Sequence, residues 1–178
     1  MAEEMTPNDW HYEPFEPTGS AIGFRTTRKL DEVQSPFQKI EIFESTDWGN
    51  LMTIDGAIML TSKDNFFYHE MISHPVLFTH AAPKRVVIIG GGDCGTLREV
   101  LKHSGVESVT QCDIDEQVTR MSEKYFPELC ESNGDARAER RRQIEQLAAR
   151  AGDGHEALRE LVPRRGSQLT QEDPRRGR

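Results

Sequence analysis

Val86-Val87-Ile88-Ile89-Gly90-Gly91-Gly92-Asp93-Cys94-Gly95-Thr96-Leu97-Arg98-Glu99-Val100-Leu101 is the stretch that decides the fold. Four consecutive β-branched residues make the continuous apolar run that a strand covered on both faces needs. The glycines permit a tight turn, and TLREVLKH is a good helix former. A second strand is expected over 106–112 (VESVTQC), closing on Asp113-Ile114-Asp115, and EQVTRMSEKYF reads as a second helix. Strand, glycine turn, helix, strand, acid, helix is the opening of a doubly wound fold that binds a nucleotide or nucleoside.

Gly90, Gly92 and Gly95 satisfy G-x-G-x-x-G, and Asp113 follows Gly95 by 18 residues, the spacing of a ribose-binding acid. A dinucleotide would place its pyrophosphate on the loop amides and the helix N-terminus. Asp93 opposes that reading, because a carboxylate inside the cradle repels phosphate. It suits a cationic ligand without phosphate, such as a sulfonium nucleoside or an alkylammonium. Asp113 or Asp115 would accept hydrogen bonds from the ribose hydroxyls.

Working outward toward the N-terminus, short strands are expected at 21–30, 37–45, 50–54 and 57–62, forming a small antiparallel sheet. Ile40 and Ile42 alternate with Lys39, Glu41 and Phe43, and Asp55-Gly56 is a strong hairpin turn. FFYHEMISHPVLFTH then reads as a helix capped by Asp64 or Asn65. Its apolar positions Phe67, Met71 and Leu77 or Phe78 keep helical spacing only loosely, and Pro75 should kink it or start a new turn. His74, His80 and His103 show no partner pattern and read as surface residues, as does Glu70. The fold class is thus α/β, with a small N-terminal antiparallel β domain and the first half of a methyltransferase-like Rossmann fold.

Composition divides the 178 residues sharply. All 13 aromatics lie at or before Phe126. Residues 1–135 carry 11 Lys and Arg against 23 acids, a net of −12, whereas 136–178 carry 11 Arg and 7 acids, a net of +4. The overall charge of −8 argues against a nucleic-acid coat. No apolar run approaches the roughly 18 residues of a membrane span. MAEEMTPNDW is acidic, without the apolar core of a secretory signal, so a cytoplasmic protein is expected. Cys94, Cys112 and Cys130 have neither disulfide nor metal-ligand spacing and read as inert; no metal is expected.

Residues 20–133 resemble the polyamine aminopropyltransferases, the spermidine synthase family. The likeness rests on QKIEIFE at 38–44, LMTIDG at 51–56, DNFFYHEM at 64–71, VVIIGGGDCGTLREVLKH at 86–103 and VESVTQCDID at 106–115. It implies aminopropyl transfer from decarboxylated S-adenosylmethionine, a co-substrate, to putrescine, with no other cofactor. Gln38 resembles the glutamine that contacts the nucleoside. Tyr68 and His69 resemble the pair lining the diamine site, and Asp93 the acid that holds the aminopropyl ammonium. Asp113 stands at the ribose position, where the family more often has Glu, and Cys94 where Gly is commonest. Gly90, Gly91 and Gly92 form the glycine loop. The family also implies a homodimer or homotetramer. A generic methyltransferase would share VVIIGGGD without QKIEIFE and DNFFYHEM; a non-catalytic partner of a full-length synthase is the other alternative.

The family's later segments do not follow Asn133: neither the adenine-contacting strand nor D-x-[TS]-D-P-x-G-P, whose first Asp is thought to deprotonate the amine. No catalytic base is therefore assigned. The expected organisation is an extension at 1–20, a β-rich domain ending in a helix at 21–82, a partial Rossmann-like domain at 83–133 and an Arg-rich tail at 134–178. That tail offers no strand candidate. It reads as an out-of-frame end, a solvated helical extension with Ala138, Ile144, Leu147, Ala148 and Ala151 as a weak stripe, or a basic arm. Only two parallel strands are expected.

Overall fold

A computed structural model describes residues 9–141, and readings of the tail beyond Arg141 lie outside the described residues. Five antiparallel strands come first: β1 (Trp10–Phe15), β2 (Ser20–Gln34), β3 (Lys39–Ser45), β4 (Asn50–Ile54) and β5 (Ala57–Thr61), each paired with the next. Asp55 and Gly56, both at positive φ (50° and 83°), make the tight β4–β5 turn. Ile40 and Ile42 are fully buried, as their alternation requires.

The sheet begins earlier than expected. β1 lies within the first twenty residues and pairs along its whole length with β2, from Trp10↔Arg25 to Phe15↔Ser20. Side chains lock it to the β4–β5 hairpin, through His11 Nε2 to Gly56 O (2.9 Å) and Ile58 N to Glu13 Oε2 (2.7 Å). Pro14 fits because β1 is an edge strand, which can lack a donor.

The helix α1 (Asn65–Thr79) follows, then β6 (Arg85–Ile89), α2 (Gly95–Leu101), β7 (Ser108–Cys112), α3 (Glu116–Tyr125) and β8 (Ala138–Arg141). The strands β6, β7 and β8 are parallel, with β7 central. The expectation of only two parallel strands, and of no strand in the tail, is thus corrected. Ala-Glu-Arg-Arg carries no β-branched residue, so its pattern gives no strand signal. Arg137, just before it, supplies the cause. Its guanidinium donates to Leu101 O (2.8 Å), Val106 O (3.3 Å) and His103 O (3.4 Å) while held by Asp135 at 2.7 Å. It therefore satisfies carbonyls at and beyond the C-terminus of α2 and delivers the next residues to the edge of β7.

The α1 helix runs on through Pro75 and does not start anew there. Its buried residues are Asn65, His69, Ser73 and Leu77, spaced by four, whereas Phe67, Met71 and Phe78 are exposed. The face turned inward is largely polar toward its N-terminal end, where His69 rests on Gly95 at the start of α2, and apolar at Leu77.

Two cores result. Ile40, Ile42, Met52 and Leu60 of the antiparallel sheet pack on Val118 and Met121 of α3, with Phe126 and Leu129. Leu77, Ile88, Leu97, Val100, Leu101, Val106 and Val109 bind α1 and α2 to the parallel strands. Asp31 of β2 accepts from Lys124 Nζ (2.7 Å) and Tyr125 Oη (2.8 Å), reinforcing the first contact. No helix among the described residues is long and apolar enough to cross a membrane.

Candidate functional site

The glycine turn leaves β6 through two residues at positive φ, Gly90 (80°) and Gly91 (72°). Gly90 N donates to Cys112 O (2.7 Å), tying the turn to the end of β7. Cys94 also adopts the left-handed conformation, φ 71°. Glycine is favoured there for that reason, and a β-carbon costs about 1–2 kcal/mol. Burial and hydrogen bonding hold Cys94 in place: its Sγ points at Gly92 O (3.5 Å). The neighbouring Cys94 thiol and burial push the Cys130 thiol well up, so it is no nucleophile.

Two carboxylates occupy the amides a phosphate would need. Gly92 N donates to Asp113 Oδ2 (2.8 Å), and Gly95 N donates to Asp93 Oδ1 (2.7 Å). Gly92 has to be glycine for this: a β-carbon there would stand 2.9 Å from Asp113 Oδ2 and 3.0 Å from Val118 Cβ. Asp113 Oδ1 accepts from Asp115 N (2.8 Å).

Gln38 and Asp113 come together through a third acid. Asp115, buried, caps α3 by accepting from Gln117 N (2.9 Å) with Oδ1. Its Oδ2 accepts from Gln38 Nε2 (3.0 Å) and Ser35 Oγ (2.7 Å). Ser35 Oγ in turn accepts from Phe37 N (3.0 Å) and Gln38 N (3.1 Å), shaping the β2–β3 turn. Sequence reasoning missed Ser35 and left Asp115 as an alternative ribose acid. The pattern Asp115-Glu116-Gln117-Val118 ahead of a helix was the available N-cap signal.

His69 and Asp93 also meet, with His69 Nε2 3.1 Å from Asp93 Oδ1. The ring is fully buried, and neither nitrogen has a hydrogen bond of good geometry among the described residues. It lies flat on Gly95, where a β-carbon would come within 2.2 Å of Cε1. Tyr68 is 59% exposed, and its ring meets that of His69 edge-on with centroids 5.3 Å apart.

Burial raises the Asp113 carboxyl above its ordinary value, with Asp115 and Asp93 adding repulsion; the two amide donors oppose this and do not win. A carboxyl raised on folding contributes stability that is full below its unfolded value and is lost as pH rises through its folded value. Its protonation should therefore begin above the usual aspartate range. Carbon-detected NMR titration of the Asp113 carboxyl checks this; a midpoint at or below an unperturbed aspartate would refute it.

These features define a class: an α/β protein whose glycine turn is lined by acids. The comparisons specify it further. The spermine/spermidine synthase domain matches residues 65–159, and the spermidine synthase tetramerisation domain matches 10–62. The chain belongs to the spermine/spermidine synthase family. It is 87% identical over 132 residues to a polyamine aminopropyltransferase of Stenotrophomonas maltophilia strain K279a, covering 74% of this chain and 47% of that protein. A polyamine aminopropyltransferase of Xanthomonas campestris pv. campestris strain B100 is 83% identical over 136 residues, 76% of this chain and 48% of the relative. The chain thus spans about half the length of the curated relatives it matches. Among solved structures, a spermidine synthase in complex with the transition state analogue AdoDATO superposes with TM-score 0.73 at 37% identity, covering 83% of this chain and 52% of that one. Spermidine synthase from Thermotoga maritima gives the same TM-score and identity over 83% of this chain and 54% of that one.

Proposed function

We propose that the protein serves aminopropyl transfer from decarboxylated S-adenosylmethionine to putrescine, giving spermidine and methylthioadenosine. The observation that carries this reading is the occupation of the Gly92 and Gly95 amides by Asp113 and Asp93. A loop whose donors are already taken by carboxylates repels pyrophosphate and attracts a cation. Asp113 and Gln38 would hold the nucleoside, with Gly90, Gly91 and Gly92 giving it close backbone approach. Asp93 would pair with the aminopropyl ammonium, and Tyr68 and His69 would line the diamine.

The reaction is a displacement in line with the breaking bond. A neutral amine of putrescine attacks the methylene attached to the sulfonium, a C–N bond forms, and the C–S electron pair stays on sulfur as a thioether. The attacking nitrogen then loses a proton. Carboxylates that fix both cations in line supply the orientation such a step requires. Membership of the family and the match to its tetramerisation domain support a homo-oligomer, homodimer or homotetramer, and a cytoplasmic location belongs to the same reading. The match to the tetramerisation domain also supports a second reading, a subunit that associates with a full-length synthase. Co-elution with an intact synthase on size exclusion tests it.

Calorimetry with decarboxylated S-adenosylmethionine, methylthioadenosine and NAD tests the main reading, alongside a putrescine transfer assay. Heat with either sulfur nucleoside and none with NAD is expected. Binding of NAD with no response to the sulfonium nucleoside would overturn it.

A further inference from the structure

The packed helices α1 and α2 bring together two pairs, of which Glu70, His74 and His103 read from the sequence as surface residues. Glu70 and His74 stand four apart on α1; Glu99, on α2, and His103, just past its end, also stand four apart. Each spacing puts its two side chains on one face, and the two faces meet. His74 Nε2 lies 3.2 Å from Glu99 Oε2, and His74 Nδ1 lies 2.8 Å from His103 Nε2. One ligand atom each from Glu70, His74 and Glu99 falls within 4.8 Å of the other two.

We propose that Glu70, His74 and Glu99 form a site for a divalent transition cation, zinc being the best fit, that clamps α1 to α2. Two carboxylates and one imidazole suit a tetrahedral ion with a fourth position left to solvent. Bonds of about 2.0–2.1 Å from such an ion place two ligand atoms about 3.3–3.4 Å apart. The His74–Glu99 separation already meets that, and only Glu70, an exposed side chain, has to close in.

The surroundings agree with a ligand role. His103 can accept the Nδ1 proton of His74, which fixes the ring with Nε2 turned toward Glu99, the usual support of a metal-bound histidine. Glu99 is fully buried, and its Oε2 has no hydrogen bond of good geometry. Arg98 Nε covers Oε1 at 2.9 Å, while Lys102 Nζ lies 2.6 Å from Oε2. That ammonium is the rival occupant. Its side chain is 55% exposed, so it can swing into solvent when an ion arrives.

The site is separate from the glycine loop and independent of the transfer reaction. Its consequence is mechanical, because α1 carries His69 and α2 begins at Gly95, the residue His69 rests on.

Calorimetry of the full chain with zinc, and the visible absorption of bound cobalt, test the proposal. One ion per chain is expected, together with a raised melting temperature. Glu70→Gln and His74→Gln should each weaken zinc by about 10-fold or more, and His103→Gln by about 10- to 100-fold. Glu70 is exposed, so Glu70→Gln keeps the fold and its result stands alone. Failure of the wild type to bind zinc would overturn the proposal, with Lys102 then the occupant. Equal affinity in wild type, Glu70→Gln and His74→Gln would overturn it too, placing the ion on other residues.

Discussion

Gly95→Ala should lower the melting temperature of this chain by roughly 6–12 °C. Elsewhere in a helix the change stabilises, since alanine is preferred to glycine by up to about 1 kcal/mol. Gly95 also has no left-handed backbone to protect, being the first residue of an ordinary helix. The sign is set by the His69 ring, which a β-carbon would approach within 2.2 Å of Cε1 and 2.4 Å of each nitrogen. The ring is buried and rigid, so either it rotates or α1 and α2 move apart. Overpacking of this kind costs about 1–3 kcal/mol and here belongs at the upper end. A domain of this size loses about 2–4 °C per kcal/mol. Thermal unfolding by circular dichroism reads the effect. His69→Ala should relieve it, so a double-mutant cycle should give strong coupling. An unchanged melting temperature, or two additive losses, would mean the contact is not as tight as described.

That contact also explains how the fold could be read from sequence and where the reading failed. VVIIGGGDCG declares a strand and a left-handed turn because β-branched runs and glycines act locally, and Ile40 and Ile42 declare the antiparallel sheet through a period of two. Local signals cannot report what lies across a helix interface. Asn65, His69 and Ser73 bury a stripe that hydropathy assigns to water, and His69 rests on the glycine start of α2. His74 and His103, 29 residues apart, show no sequence motif and meet only when the helices pack. The last parallel strand escaped notice for a similar reason. Arg137 makes it through three carbonyls of the region 101–106, and nothing in Ala-Glu-Arg-Arg itself points to a strand. In the candidate site, Asp93 and Asp113 stood out by residue type and position, and Gln38 only through the family resemblance. Ser35 did not, because its bond to Asp115 spans 80 residues.

Asp115→Ala should cost about 3 kcal/mol of stability and loosen Gln38 as well. The buried carboxylate joins the antiparallel sheet to the parallel half: one oxygen caps α3, the other holds Ser35 and Gln38. Loss of an N-cap alone costs about 1 kcal/mol. Hydrogen bonds to a charged group contribute roughly 1.5–3 kcal/mol each, but the three share one carboxylate and will not sum. Gln38 is only half-buried and can turn to water when released, which limits the loss further. Asp115→Asn separates the two jobs. An Asn oxygen can still cap α3, while its amide presents a donor to Ser35 Oγ and Gln38 Nε2, which are donating already. Asn should therefore retain the cap's share of stability and lose the link to the β2–β3 turn. If Gln38 holds the nucleoside, methylthioadenosine binding should weaken about 10-fold in both variants, one hydrogen bond's worth. Urea titration gives the stabilities and calorimetry the affinities. Full stability in Asp115→Ala would remove the acid from the joint between the sheets. Lost stability with unchanged nucleoside affinity would leave it a helix cap and place Gln38 outside the nucleoside site.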